Sequence, residues 1–124
     1  MTPTAHLDTF ARDHLPPPEA LPEFVFDLPE LQLPARLNVA AELLDARVAA
    51  GQGGRVCLQG IVDGQPVRWS YAEAQELANR IARVLVDDQG LVPGNRVLLR
   101  GPNSPMLAAC WFGVVKAGGI AVGT

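Results

Sequence analysis

At 124 residues the chain holds one domain at most, and an apolar content of 48% against 19% charged residues is enough for a core and excludes wholesale disorder. A net charge of −3 argues against a nucleic-acid surface, which requires a basic patch.

Residues 1–37 hold seven of the eleven prolines, Pro3, Pro16, Pro17, Pro18, Pro22, Pro29 and Pro34. Proline removes backbone donors and restricts its predecessor, so long helices and central strands are excluded from Pro16 to Pro34. A short helix from about His6 to His14 is expected, with Leu7, Phe10 and Ala11 on one face. Leu21, Phe24, Val25, Phe26, Leu28, Leu31 and Leu33 are too apolar for a solvated linker, and an extended arm laid on a larger body is expected. The opening "MTPTAHLDTF" lacks a basic stretch followed by an apolar core, so no signal peptide is expected. The longest apolar run, Met106 to Val115, is well short of the ~20 residues of a membrane span.

"NVAAELLDARVAAG" reads as a helix capped by Asn38 and ended by Gly51, with Ala40, Leu43, Leu44 and Val48 on one face. "RVCLQGIV" and "PVRWS" are β-rich, and Asp63-Gly64 between them is a hairpin signal. Ser70 and Glu73 form a capping box, in which each side chain accepts from an otherwise orphaned backbone N–H. Ala74, Leu77, Ala78, Ile81 and Leu85 repeat at helical spacing over Tyr71 to about Asp88. Glu76 and Arg80 are an i,i+4 pair, and Gly90 suits the left-handed residue that closes a helix. Pro93-Gly94 makes a turn into the strand "VLLR". Ser104 caps the next helix, with Pro105 at its first position. That helix carries Leu107, Cys110, Trp111, Val114 and Val115. Gly118-Gly119 ends it before the strand "IAV".

Val97 to Val122 is thus strand, helix, strand: a βαβ unit and a parallel pair. The expected class is α/β, a partial parallel sheet with a preceding hairpin, flanking helices and a proline-rich arm. Parallel sheets are normally covered on both faces and hold several strands. A chain stopping one or two residues past such a strand is therefore expected to be cut, to keep an open apolar edge and to self-associate.

Chemistry-bearing residues are few. "GPNSP" stands between a strand and a helix start, where backbone N–H groups favour an anion. It lacks a glycine-rich cradle and a following lysine, so a turn and cap is the better reading. His6 and His14 are too far apart in sequence for one metal site on a helix. Asp87-Asp88 is a solvated pair, and Trp69, Trp111 and Phe112 fit packing. Lys116 fits a helix C-terminal cation favoured by the dipole rather than a catalytic lysine. Cys57 and Cys110 lie in apolar stretches and read as buried free thiols. No catalytic, cofactor-binding or metal residue is assigned, and the chain alone is expected to be inactive.

The segments "NVAAELLDARVAAG", "WSYAEAQELANRIARVL" and "GLVPGNRVLLRGPNSPMLAACWFGVVKAGGIAVGT" together resemble the N-terminal opening of acyl-adenylate-forming enzymes: acyl-CoA synthetases, peptide-synthetase adenylation domains and luciferases. "FARDHLPPPEALPEF" resembles the aryl branch, closest to 2-aminobenzoate- and benzoate-CoA ligases of aromatic acid degradation. With no signal peptide or membrane span read from the sequence, a cytoplasmic protein is expected, and the resemblance implies a two-step ligase. ATP and an aryl carboxylate give an acyl-adenylate and pyrophosphate, and CoA then displaces AMP to form a thioester, with magnesium as the expected ion. It makes residues 1–37 an arm and residues 38–124 the first part of the large N-terminal domain. The family's ATP loop, acid pocket and catalytic lysine lie beyond Thr124. The competing reading is a stand-alone α/β binding or regulatory module; a doubly wound nucleotide-binding protein lacks its G-x-G-x-x-G.

Overall fold

A computed structural model describes residues 4–124, the side chain of Leu31 apart. Residues 1–3, Pro3 among them, lie outside the described residues.

The arm enters as the single turn α1 (Phe10–Asp13), which is much shorter than the helix expected from His6 to His14. Two 3₁₀ turns follow, Pro18–Ala20 and Pro29–Leu31, each with proline at its start. Phe24, Val25, Phe26, Leu28 and Leu33 are exposed. Only the first part of the arm is laid on the body; the expectation for the rest is corrected.

Residues 39–52 are helical, with wide π turns at Ala41–Asp45 and Val48–Gln52. Gly51 leaves the helix at φ +77°, as the sequence predicts. Ala40 and Leu44 are fully buried, but Leu43 is exposed, because wide turns shift the face away from the 3.6-residue period.

Strands β1 (Val56–Val62) and β2 (Gln65–Ser70) form an antiparallel hairpin closed by the pair Val62 and Gln65. Asp63 and Gly64 both take positive φ, +50° and +75°, as a two-residue type I′ turn demands. Helix α2 (Tyr71–Arg83) starts on the capping box: the Glu73 N–H donates to Ser70 Oγ at 3.3 Å, and the Ser70 N–H donates to Glu73 Oε2 at 2.7 Å. These donors hold the Glu73 carboxyl below the usual carboxylate range, the Ser70 backbone first. A π turn, Val84–Asp88, ends the helix, and Gly90 is left-handed at φ +64°.

Strand β3 (Arg96–Leu99) pairs in parallel with β4 (Ile120–Gly123), in the register Arg96 to Ile120 through Leu99 to Gly123. Helix α3 (Pro105–Lys116) joins them, capped by Ser104 Oγ, which accepts from the Leu107 N–H at 3.3 Å. The predicted βαβ unit and hairpin therefore both form, as two separate two-stranded sheets.

The core lies where α2 crosses α3. Ala74 and Ala78 of α2 are fully buried with Leu44, and Cys57, Leu58, Tyr71 and Phe112 pack around them. From α3 the buried residues are Pro105, Ala109, Gly113 and Val114. This face differs from the predicted Leu107, Cys110, Trp111, Val114 and Val115, of which only Val114 is fully covered. Small residues face each other because the two backbones run close.

Candidate functional site

The polar groups collect where the two glycine turns meet. The Pro93-Gly94 turn precedes β3 and the Gly118-Gly119 turn precedes β4, so parallel pairing sets them side by side. The Gly94 N–H donates to Gly118 O at 2.8 Å. Gly94 has φ +96° and Gly118 φ +82°, so both use left-handed backbone.

The arm is fastened on the first turn. The N–H groups of Leu7 and Asp8 both donate to Pro93 O at 2.9 Å. The Asp8 carboxylate accepts from the Phe10 N–H at 3.0 Å, from Asn95 Nδ2 at 2.8 Å and from the Arg96 guanidinium. Arg96 also lies 4.6 Å over the Phe10 ring, and that ring stacks on His14 at 4.0 Å. The Phe10 N–H, then Asn95 and Arg96, hold the Asp8 carboxyl below the usual carboxylate range. A side chain at position 94 would run into the Asp8 carbonyl, so only glycine lets the arm approach.

The second turn holds the arm's return. Asn38 Oδ1 accepts from the N–H groups of Ala40 and Ala41 at 3.1 and 3.2 Å, which is the predicted cap. Its Nδ2 meanwhile donates to Val115 O at 3.1 Å and Lys116 O at 3.4 Å. Lys116 Nζ contacts Asp45 Oδ1 at 2.5 Å, and Gln75 Nε2 donates to the same oxygen at 2.6 Å. Asp45 thus joins three helices through Lys116 and Gln75, and Lys116 is an ion-pair partner, a role beyond the helix-end cation expected from its position. Between these fastenings lies an open cleft of about 570 Å³, lined by Thr4–His6, Ala35–Val39, Pro93 and Val115–Gly119.

The other weighed residues do not converge. Ser104 of "GPNSP" spends its hydroxyl on the cap. His6 sits by Gly94, while His14 Nδ1 lies 2.7 Å from Phe10 O. Asp87 and Asp88 are exposed, Trp69 is half-buried, and Trp111 meets Phe112 edge-on at 5.3 Å. Cys57 and Cys110 are free and half-buried rather than fully buried, and burial pushes the Cys57 thiol up. Among the described residues no group of three or more His, Cys, Asp or Glu could hold a metal ion. No helix among them is long and apolar enough to cross a membrane.

Comparison with known proteins gives a consistent picture. The family described as AMP-binding enzyme matches residues 45–124. The long-chain-fatty-acid–CoA ligase FadD13 of Mycobacterium tuberculosis is 43% identical over 56 residues, which cover 45% of this chain and 11% of the relative. The acetyl-coenzyme A synthetase of Mycolicibacterium smegmatis is 35% identical over 91 residues, covering 66% of this chain and 9% of the relative. The chain thus spans about a tenth of the length of the curated relatives it matches. Among solved structures, the N-terminal domain of FACL13 from Mycobacterium tuberculosis aligns with 68% of this chain and 20% of its own, at TM-score 0.55 and 33% identity. A fatty acid AMP ligase from Legionella pneumophila aligns with 71% of this chain and 15% of its own, at TM-score 0.62 and 23% identity, a likeness of fold alone.

Proposed function

Because this chain belongs to the AMP-binding enzyme family, we propose that its residues form the opening part of an ATP-dependent aryl carboxylate–CoA ligase acting in the cytoplasm. The observation that carries the ligase reading is the family match over residues 45–124, joined to relatives named as acid–CoA ligases. In this reaction class the acid and ATP, with magnesium, give an acyl-adenylate and pyrophosphate, and CoA takes the acyl group as a thioester.

A magnesium or nucleotide site is not assigned to the residues of this chain. Among the described residues no group of three or more His, Cys, Asp or Glu could hold a metal ion, and the Ser104 hydroxyl at the start of α3 accepts from the Leu107 N–H of its own helix. No chemical step is therefore assigned to them. Their part is architectural: the paired glycine turns fix β3 beside β4, and α3 packs on α2. We place the boundary between arm and domain after residue 37, where Asn38 begins the helix and grips α3.

The aryl class of the acid rests on the resemblance of "FARDHLPPPEALPEF", while the relatives are named for long-chain fatty acids, crotonobetaine or carnitine, and acetate. Carboxylate-dependent exchange of pyrophosphate into ATP, measured on the ligase that contains these residues, separates the cases. Exchange is expected with benzoate and 2-aminobenzoate. Preference for a fatty acid or acetate refutes the aryl assignment, and no exchange with any carboxylate refutes the ligase. The 124 residues alone are expected to give no pyrophosphate above a blank.

A further inference from the structure

The arm is held at its two ends by different forces. The returning end is anchored in the core. Asn38 starts the helix whose Ala40 and Leu44 are fully buried, and its amide grips the last carbonyls of α3. The departing end is anchored by polar contacts. Among the described residues, the hydrogen bonds between residues 4–14 and the body all end between Pro93 and Arg96. Those from the Leu7 and Asp8 N–H groups share the single acceptor Pro93 O, and the others end on the Asp8 carboxylate.

The two oxygens of that carboxylate serve two elements. Oδ1 accepts from the Phe10 N–H at 3.0 Å, which ties Asp8 to the start of α1. Oδ2 accepts from Asn95 Nδ2 at 2.8 Å and from the Arg96 guanidinium. Arg96 also lies over the Phe10 ring, so the same guanidinium holds the arm's aromatic side chain. On the body side the charged group facing Asp8 is Arg96. The arm's own groups at this junction are Arg12 paired with Asp13, His14 stacked on Phe10, and His6 against Gly94.

Asn95 joins this contact to the sheet. Its Oδ1 accepts from the Val92 N–H at 2.9 Å, and its backbone oxygen accepts from the Ile120 N–H at 2.8 Å at the start of β4. Neither bond involves the arm, so the turn closes and the strands pair whether or not Asp8 is in place.

We propose that residues 4–14 are a strap that opens as one unit, with the Asp8 carboxylate as its latch, while the strands and helices of the body stay folded. The contacts converge on one side chain, so they are made and lost together, which makes a local opening cooperative. Lifting the strap removes the Thr4–His6 wall of the cleft of about 570 Å³ and uncovers the Pro93-Gly94 turn. The arm then stays attached at Asn38. The latch and its partners all lie within the described residues. The inference uses neither a carboxylate substrate nor ATP, so it stands apart from the ligase reading.

The test is trypsin digestion of the full-length protein that contains these residues, read by mass as release of the peptide ending at Arg12. Arg12 lies inside α1 and is cut from the open strap, so the rate follows the population of that state. In Asp8→Asn the side chain keeps one acceptor oxygen and cannot serve both Phe10 and the Asn95–Arg96 pair. Its release rate should rise roughly 10- to 100-fold, as expected for losing hydrogen bonds to a charged group. Arg96→Gln should also raise the rate, and the double variant by less than the product of the two effects. The ion pair is partly exposed, so added salt should speed release from the wild type and not from Asp8→Asn. Cutting after Arg80, inside α2, should stay at the wild-type rate in every variant, because the body does not open. Equal release from wild type and Asp8→Asn would overturn the proposal. So would a double variant that multiplies the two effects, a salt response common to both proteins, or cutting at Arg80 that rises in step with cutting at Arg12.

Discussion

Gly113 is the place where a single methyl group tests the packing. It lies in α3, buried against α2. A Cβ there would stand 2.5 Å from Ile81 Cγ2, 2.7 Å from Ile81 Cβ and 3.3 Å from Ala78 O. Carbon atoms prefer about 3.5–4.0 Å, so the overlap is roughly 1 Å. Ile81 Cβ is fixed to the α2 backbone, so rotating the side chain does not clear it and the helices must part. Overpacking of this kind costs about 1–3 kcal/mol. Removing glycine from a helix interior returns about 0.5–1 kcal/mol. Gly113→Ala should therefore destabilise by about 1–2 kcal/mol, which at a urea slope of about 1.5 kcal/mol/M lowers the midpoint by roughly 1 M. Gly54→Ala is the control: its Cβ would meet nothing within 4 Å, so a change inside about 0.5 kcal/mol is expected. Ile81→Ala in the Gly113→Ala background should cost less than the two single changes added. If Gly113→Ala unfolds at the wild-type midpoint with the same slope, the helices are not in the contact described.

Ser70→Ala should lose about 1 kcal/mol through the α2 cap; a denaturant midpoint within error of wild type would show that Ser70 Oγ caps nothing. Asp8 has its carboxyl held low, so its contribution is present above the ordinary aspartate range near about pH 3.9 and is lost as pH falls through the lowered value. Protection of the Leu7 and Asp8 amides, corrected for intrinsic exchange, should fall on acidification in wild type and be low at every pH in Asp8→Asn; matching pH profiles would be the contrary result. Lys116→Met leaves Asp45 with Gln75 alone, and the pair is only partly exposed, so a loss of about 1–2 kcal/mol is expected, between the values for surface and buried pairs. A cycle with Asp45→Asn reads that coupling directly, and perfect additivity would mean that the two side chains do not interact.

The elements legible from sequence are those whose cause is local. Asp63-Gly64, the Ser70 and Glu73 box, Ser104-Pro105 and Gly90 each satisfy or bend backbone within four residues, so neighbouring letters suffice to read them. The parallel pair was legible for a related reason, since two short apolar runs separated by one helix have few ways to pair. The α2–α3 contact was not legible. A helix rich in Leu, Trp and Val suggests that its large side chains face inward, yet Ala109 and Gly113 do so, and only the partner's Ala74, Ala78 and Ile81 explain why. The fastenings were hidden for the same reason. Asp8 meets Arg96, Asn38 meets Val115 and Lys116 meets Asp45 across 71 to 88 positions, and none has a periodic or motif signature. Asn38 shows the limit within one side chain: its oxygen does the cap job that sequence announces, while its amide nitrogen holds α3, which no local pattern encodes. Glycine at 94 is the nearest thing to a signal, since a Pro-Gly turn explains its φ. That the turn also makes room for the Asp8 carbonyl follows only once the arm is seen lying on it.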